Sequence, residues 1–210
     1  MSSKFKSHLQ KNPYTTTFVA KDKLIIYLRP GRTAGTHITK FISPNSKEVT
    51  RSMFYKKGVD SWVENITDED LDDYFKFTVV RNPFSRLYSA WSAFIVKRPL
   101  RVNPDFEKFV FERGPGNLMY EDGSFTNDHW FPQHNYAYFE NNSFPFVDYI
   151  GKYENLKETL DYLKDFVPNY SYFATRKPNS HYKRFFEKKY FKEKVADIYR
   201  KDLELFGYEF

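Results

Sequence analysis

Residues 74–91 read Tyr74-Phe-Lys-Phe-Thr-Val-Val80, then Arg81-Asn-Pro83, then Phe84-Ser-Arg-Leu-Tyr-Ser-Ala-Trp91. The first run is almost continuously apolar, which suits a strand covered on both faces of a parallel sheet. Arg81-Asn-Pro83 breaks it. A helix from about Phe84 to Lys97 follows, with Leu87, Ala90, Trp91 and Phe94 on one face. The same strand–turn–helix order occurs earlier. Lys23-Leu-Ile-Ile-Tyr-Leu28 reads as a short buried strand and Arg29–Gly35 as a breaker-rich turn. Thr36 is the expected N-cap of a helix from His37 to about Ile42. Phe146–Tyr153 reads as a third strand. This alternation predicts an α/β fold with a mainly parallel sheet. Ligands in such sheets gather beyond the carboxyl ends of the strands. Two polar turns lie there, residues 29–37 and 81–89.

The rest of the chain frames those turns. Its 210 residues predict a single domain, 1–210, with residues 1–20 as a loosely packed lead-in. Thr67 with Asp70 opens a short acidic helix, Asp105–Arg113 is another helix, and Gly114–Asn135 is a long loop. Asn155 caps Leu156–Phe166 with Glu158 at the third position. Glu187–Leu205 spaces Val195, Ile198, Tyr199, Asp202, Leu203 and Phe206 as one amphipathic helix, with Gly207 as its C-terminal cap.

Composition narrows the function. There is no cysteine, which excludes a disulfide scaffold, a thiolate metal site and a cysteine nucleophile. Apolar runs fall far short of the roughly 18 residues of a membrane span, and the polar, basic start has no apolar leader core. Those features predict a soluble cytoplasmic protein, or a Golgi-luminal one only if an anchor has been removed. Asn65, Asn141 and Asn169 fit the glycosylation pattern and are read as chance. Aromatics make up 20% of the chain without any repeated base-stacking pattern, so they are assigned to the core and no nucleic-acid partner is expected. Net charge is +6, yet residues 176–201 alone carry +7, while residues 60–73 hold seven acids and no base. A basic segment so placed suits an anionic ligand or a solvated helix face.

The first turn has the features of an anion cradle. Gly31, Ala34 and Gly35 are small enough for close backbone approach, and amides at a helix start favour phosphate or sulfate. Arg32 adds charge, and Thr33 and Thr36 add hydroxyls. The Gly-Lys-Ser/Thr ending of a Walker loop is missing. In the second turn Arg81 stands at a strand end and Ser89 a little over two helical turns on, so both can face one crevice. Arg81 suits a bidentate grip on phosphate. Arg86 reads as a surface or ion-pair residue.

Together these segments resemble the cofactor motifs of PAPS-dependent sulfotransferases, most closely the carbohydrate sulfotransferase-like families of the sulfotransferase family 2 type. Pro30-Gly-Arg-Thr-Ala-Gly-Thr-His37 is similar to their Pro-Lys-Thr-Ala-Gly-Thr-Ser, which holds the 5′-phosphosulfate. Val80–Trp91 is similar almost throughout to their Val-Arg-Asn-Pro-Phe-x-Arg-Leu-x-Ser-Ala-Tyr, which holds the 3′-phosphate. His129-Trp-Phe-Pro-Gln133 and the ending Tyr199-Arg-Lys-Asp202 through Phe206-Gly-Tyr208 resemble two further segments. The chain departs from the pattern at Arg32, where the family has Lys, with Gly31 inserted before it, and at His37, where it has Ser.

The resemblance implies a P-loop-like three-layer fold. It also implies transfer of the sulfuryl group of 3′-phosphoadenylyl sulfate (PAPS) to a hydroxyl acceptor, a saccharide or glycan, with no metal. Residues 31–37, Arg81, Ser89 and Lys183 are then the donor site, the basic stretch Arg176–Arg184 being similar to the family's closing loop. Arg32 and the loop amides stabilise the leaving phosphate. His129 is the first choice of general base, then His37, then His134, with Glu48 and Asp60 as alternatives. Rival readings are a P-loop kinase or NTPase, a non-catalytic binder of anionic polymers, and a relative that binds PAPS without turnover.

Overall fold

The computed structural model describes residues 5, 7–8, 16–20, 24–42, 49–52, 73–97, 103–112, 129–139, 143–167 and 180–210. Strands are β1 Thr16–Ala20, β2 Ile25–Arg29, β3 Val49–Ser52, β4 Phe75–Val80 and β5 Tyr149–Lys152. Helices are α1 Gly35–Ile42, α2 Pro83–Lys97, α3 Phe106–Glu112, α4 Leu156–Leu163, α5 Lys189–Ile198 and α6 Arg200–Phe206. The expected acidic helix at Thr67, Glu48, Asp60, Arg176 and the three glycosylation-pattern asparagines lie outside the described residues.

The fold is α/β, as expected, with a sheet ordered β3-β1-β2-β4-β5. β2, β4 and β5 are parallel, β1 is antiparallel to β2, and β3 is antiparallel to β1. Four of the five strands therefore share one direction. From β2 the chain goes on to β3 on one side of the sheet, and from β4 it goes on to β5 on the other. The crevice between β2 and β4 is a topological switch point, where such sheets bind ligands.

Period-two alternation divides the core. Ile25, Tyr27, Phe77 and Val79 face α1 and α4, packing on Ile38, Phe41, Leu156 and Leu160. Ile26, Leu28 and Val80 face the opposite way, onto Phe131, Tyr136, Phe146 and Phe206. An aromatic cluster lies beyond, joining Phe84, Leu87 and Trp91 of α2 to Phe106, Trp130, Phe186 and Phe191. Among the described residues the aromatics thus go largely into core packing.

Four expectations change. The segment expected as a loose lead-in contributes β1 to the sheet interior, and Phe5 and His8 are buried. Thr36 is not a cap: α1 begins one residue earlier, with His37 and Ile38 amides both donating to the Ala34 carbonyl. Asn155 makes no side-chain cap, because a 3-10 turn over Tyr153–Asn155 leads into α4. The amphipathic tail is two helices, broken at Tyr199 (φ −107°, ψ 23°). Gly207 ends α6 in the left-handed region (φ 61°), as its position predicts.

Candidate functional site

β2 and β4 are hydrogen-bonded neighbours, so their turns lie side by side. The first turn bends sharply. Arg32 (φ 70°) and Ala34 (φ 64°) both adopt left-handed backbone, a cost of roughly 1–2 kcal/mol each for residues with a Cβ. Such strain gathers at functional sites. The earliest intrahelical donors of α1 are the His37 and Ile38 amides, so those of Gly35 and Thr36 precede the helical ladder. The Arg29 side chain lies over Gly35: a Cβ there would stand 2.0 Å from it, so a larger residue would displace the arginine.

The expected hydroxyls turn elsewhere. Thr33 is buried and donates to the Pro30 carbonyl (2.8 Å), closing the turn on itself. Exposed Thr36 accepts from Arg29 Nη2 at 3.4 Å. His37 is exposed on the first turn of α1.

Arg32 reaches across to α2, where Nε and Nη2 donate to Ser89 Oγ at 3.2 and 3.0 Å. Arg81 sits beside it. Its Nε donates to Ser85 Oγ (2.8 Å) and its Nη1 to the Arg32 carbonyl (3.2 Å), and its guanidinium lies 4.3 Å from the centre of the Tyr153 ring. The expected partnership of Arg81 with Ser89 is therefore split. Ser89 serves Arg32, and Ser85, one helical turn after Arg81, serves Arg81. The four-residue spacing of Arg81 and Ser85 is the sequence signal for this contact.

Among the described residues no carboxylate forms an ion pair with Arg32 or Arg81. Desolvation by burial lowers both pKa values; for Arg81 the adjacent Arg32 and Arg86 charges push the same way, against Tyr153 and Glu154. Both guanidiniums remain charged at any ordinary pH. Two neighbouring positive groups beside a turn with amides outside the helical ladder are the arrangement that an anion site needs.

Three braces hold the second turn. Asn82 Oδ1 accepts from the Phe84 and Ser85 amides and caps α2, while Pro83 takes the first helical position. Glu154 accepts from the Asn82 amide (2.9 Å) and from the Tyr208 hydroxyl (2.7 Å). Burial, helped by Glu154, keeps that phenol protonated well above its ordinary range. Gln133 pairs with both the amide and the carbonyl of Arg81, each at 2.8 Å.

Arg86 is a correction. It is 1% exposed, so it is no surface residue. Its Nε donates to the Gly31 carbonyl (2.8 Å) and its Nη1 to the Phe131 carbonyl (2.9 Å), joining the first turn to the 129–133 segment. The carbonyls it reaches are distant in sequence and carry no residue signal, so residue order alone does not reveal these contacts.

The other candidates lie around this centre. His129 packs its ring on Phe94 of α2 (5.1 Å between centroids). His134 Nδ1 is 2.7 Å from Asp202 Oδ1. Lys183 and Arg184 are exposed on the short 3-10 helix Ser180–Phe186, over the Phe210 and Phe185 rings respectively. Neighbouring Tyr182 senses Arg81 and Glu154, although burial is the main cause of its raised pKa. Phe185 of this helix packs on Tyr88 of α2 (4.7 Å between centroids), so the helix lies against the element that follows the second turn. Among the described residues no helix is long and apolar enough to cross a membrane, and no three His, Asp or Glu side chains form a metal-binding group.

A family model described as "Sulfotransferase family" matches residues 1–209. No curated protein and no solved structure matches the chain.

Proposed function

The chain belongs to the sulfotransferase family and is a transferase of sulfuryl groups; on that premise we propose that residues 1–210 form one domain that takes 3′-phosphoadenylyl sulfate as donor and a saccharide hydroxyl as acceptor. The observation that carries this reading is the pair Arg32 and Arg81. Both residues follow adjacent parallel strands, the Arg81 guanidinium donates to the Arg32 backbone carbonyl, and neither side chain forms an ion pair with a carboxylate among the described residues. A nucleotide with phosphates at both ends fits two such sites.

The bound donor supplies the sulfuryl group, which passes to the acceptor oxygen as the 5′-phosphate oxygen leaves. The chain's own residues position and neutralise. Arg32 and the amides of residues 33–36 receive the 5′-phosphate end, where negative charge grows. Replacement of the family's Lys by Arg32 keeps the charge and adds fork geometry, which Ser89 aims from α2. Arg81, aimed by Ser85 and Tyr153, receives the 3′-phosphate. Lys183 adds charge from the flanking 3-10 helix. His129 accepts the acceptor's proton, with His37 next and His134 third in our order of assignment.

The deciding experiment is isothermal titration of metal-free protein with adenosine 3′,5′-bisphosphate, with ATP as control. Tight one-to-one binding that ATP does not reproduce supports the reading. Folded protein that ignores the bisphosphate would refute it. Sulfuryl transfer to a saccharide panel, repeated with His129→Ala and His37→Ala, then tests the acceptor and the base.

A further inference from the structure

We propose that Gln133 is a positioning residue that sets Arg81 through its backbone, with Asp202 as its anchor; this rests on reading Arg81 as a phosphate ligand. The last pairing of β4 with β2 is at Thr78, and the last with β5 is at Val80. Arg81 is therefore past both ladders, and among the described residues no neighbouring strand holds its peptide groups. Gln133 takes that place. A carboxamide carries the same donor and acceptor as a peptide unit. Its Oε1 accepts from the Arg81 amide and its Nε2 donates to the Arg81 carbonyl.

Gln133 is fully buried and is itself fixed. Its amide donates to Asp202 Oδ2 at 2.7 Å. Asp202, also fully buried, accepts from the His134 amide at 2.8 Å and meets His134 Nδ1 at 2.7 Å. Gln133 Nε2 lies 3.5 Å from Asp202 Oδ2, so the carboxylate draws the NH₂ end of the carboxamide to its side. That polarity is the one Arg81 needs, and a reversed carboxamide would set oxygen against oxygen. The guanidinium then leaves a fixed Cα and needs only Ser85 and Tyr153 to complete its aim. The order of control runs from α6 to the strand end to the anion site.

The test is a double-mutant cycle read by titration with adenosine 3′,5′-bisphosphate. Gln133→Met keeps length and volume but loses both hydrogen bonds. In the otherwise wild-type protein it is expected to weaken binding about tenfold. In an Arg81→Ala background the same change is expected to alter affinity less than twofold, because the group it positions is gone. A residue that only supports the fold would weaken binding equally in both backgrounds, and that result overturns the proposal. So does an unchanged affinity in Gln133→Met. Asp202→Asn is the second variant, in case Gln133→Met does not fold by circular dichroism. It leaves Gln133 and Arg81 intact, and its expected loss of about threefold must also vanish without Arg81. If the wild-type protein does not bind the bisphosphate, the reading of the turn fails first and this inference falls with it.

Discussion

The turns after β2 and β4 hold two arginines by opposite means. The first is made by backbone strain. Arg32 and Ala34 are left-handed, Thr33 closes on Pro30, and the side chain of Arg32 leans on a helix far along the chain. The second is made by side-chain braces. Asn82, Glu154 and Gln133 satisfy its backbone, so Arg81 departs from a peptide held on both sides. Strain shapes the backbone of one turn; braces fix one guanidinium in the other. Buried Arg86 joins the two strategies, since it donates to the first turn from the helix that follows the second.

That contrast can be broken at four points. The largest expected effect is at the shared strut. Arg86→Met leaves the Gly31 and Phe131 carbonyls without their donor, at a cost of about 3 kcal/mol. Thermal unfolding should then fall by roughly 6–12 °C for a chain of this length; an unchanged midpoint would show that the turns stand independently. Next comes the braced turn. Arg81→Ala should weaken adenosine 3′,5′-bisphosphate binding on the order of 100-fold, the loss expected when a buried charged partner is removed. A loss under threefold would move the anion site away from this turn.

The strained turn is expected to be more forgiving. In Arg32→Lys one ammonium replaces the two-pronged contact with Ser89, and the same titration should show about a tenfold loss. Equal affinity would mean that only charge is read there. The smallest effect tests the strain itself. Ala34 has φ 64°, so Ala34→Gly should stabilise the protein by about 1 kcal/mol, raising its midpoint by roughly 2–4 °C. A lower midpoint would show that the left-handed backbone carries no cost there.

Much of this was legible in residue order. The apolar runs at 24–28 and 74–80, each followed by a polar turn and a helical pattern, predict β2, β4, α1 and α2 to within one or two residues. Arg32 and Arg81 follow from their place after strand ends and Ser89 from its helical spacing, and the structure brings all three together. Elsewhere the local signal misled. The first 20 residues looked too polar to pack, because a strand of Thr16-Thr-Phe-Val-Ala20 only shows its value once β2 and β3 flank it. The C-terminal stretch kept helical periodicity across Tyr199, although its hydroxyl is tied to the Trp130 carbonyl and the helix breaks there.

Local physics explains the division. Strand, turn and helix preferences depend on neighbours within a few residues, so the three parallel strands β2, β4 and β5, the two turns and their positive charge could be read directly, while β1 and β3 could not. The partners of Arg86, Gln133, Glu154 and Asp202 lie 45 to 72 positions away. A buried arginine and a solvated one look alike in a sequence, as do a buried carboxylate and an exposed one. Only burial separates them, because a polar group removed from water must find its partner inside the fold. The chain order placed two arginines at two strand ends; the packing of α6 and the 129–134 segment against those ends decided how each is held.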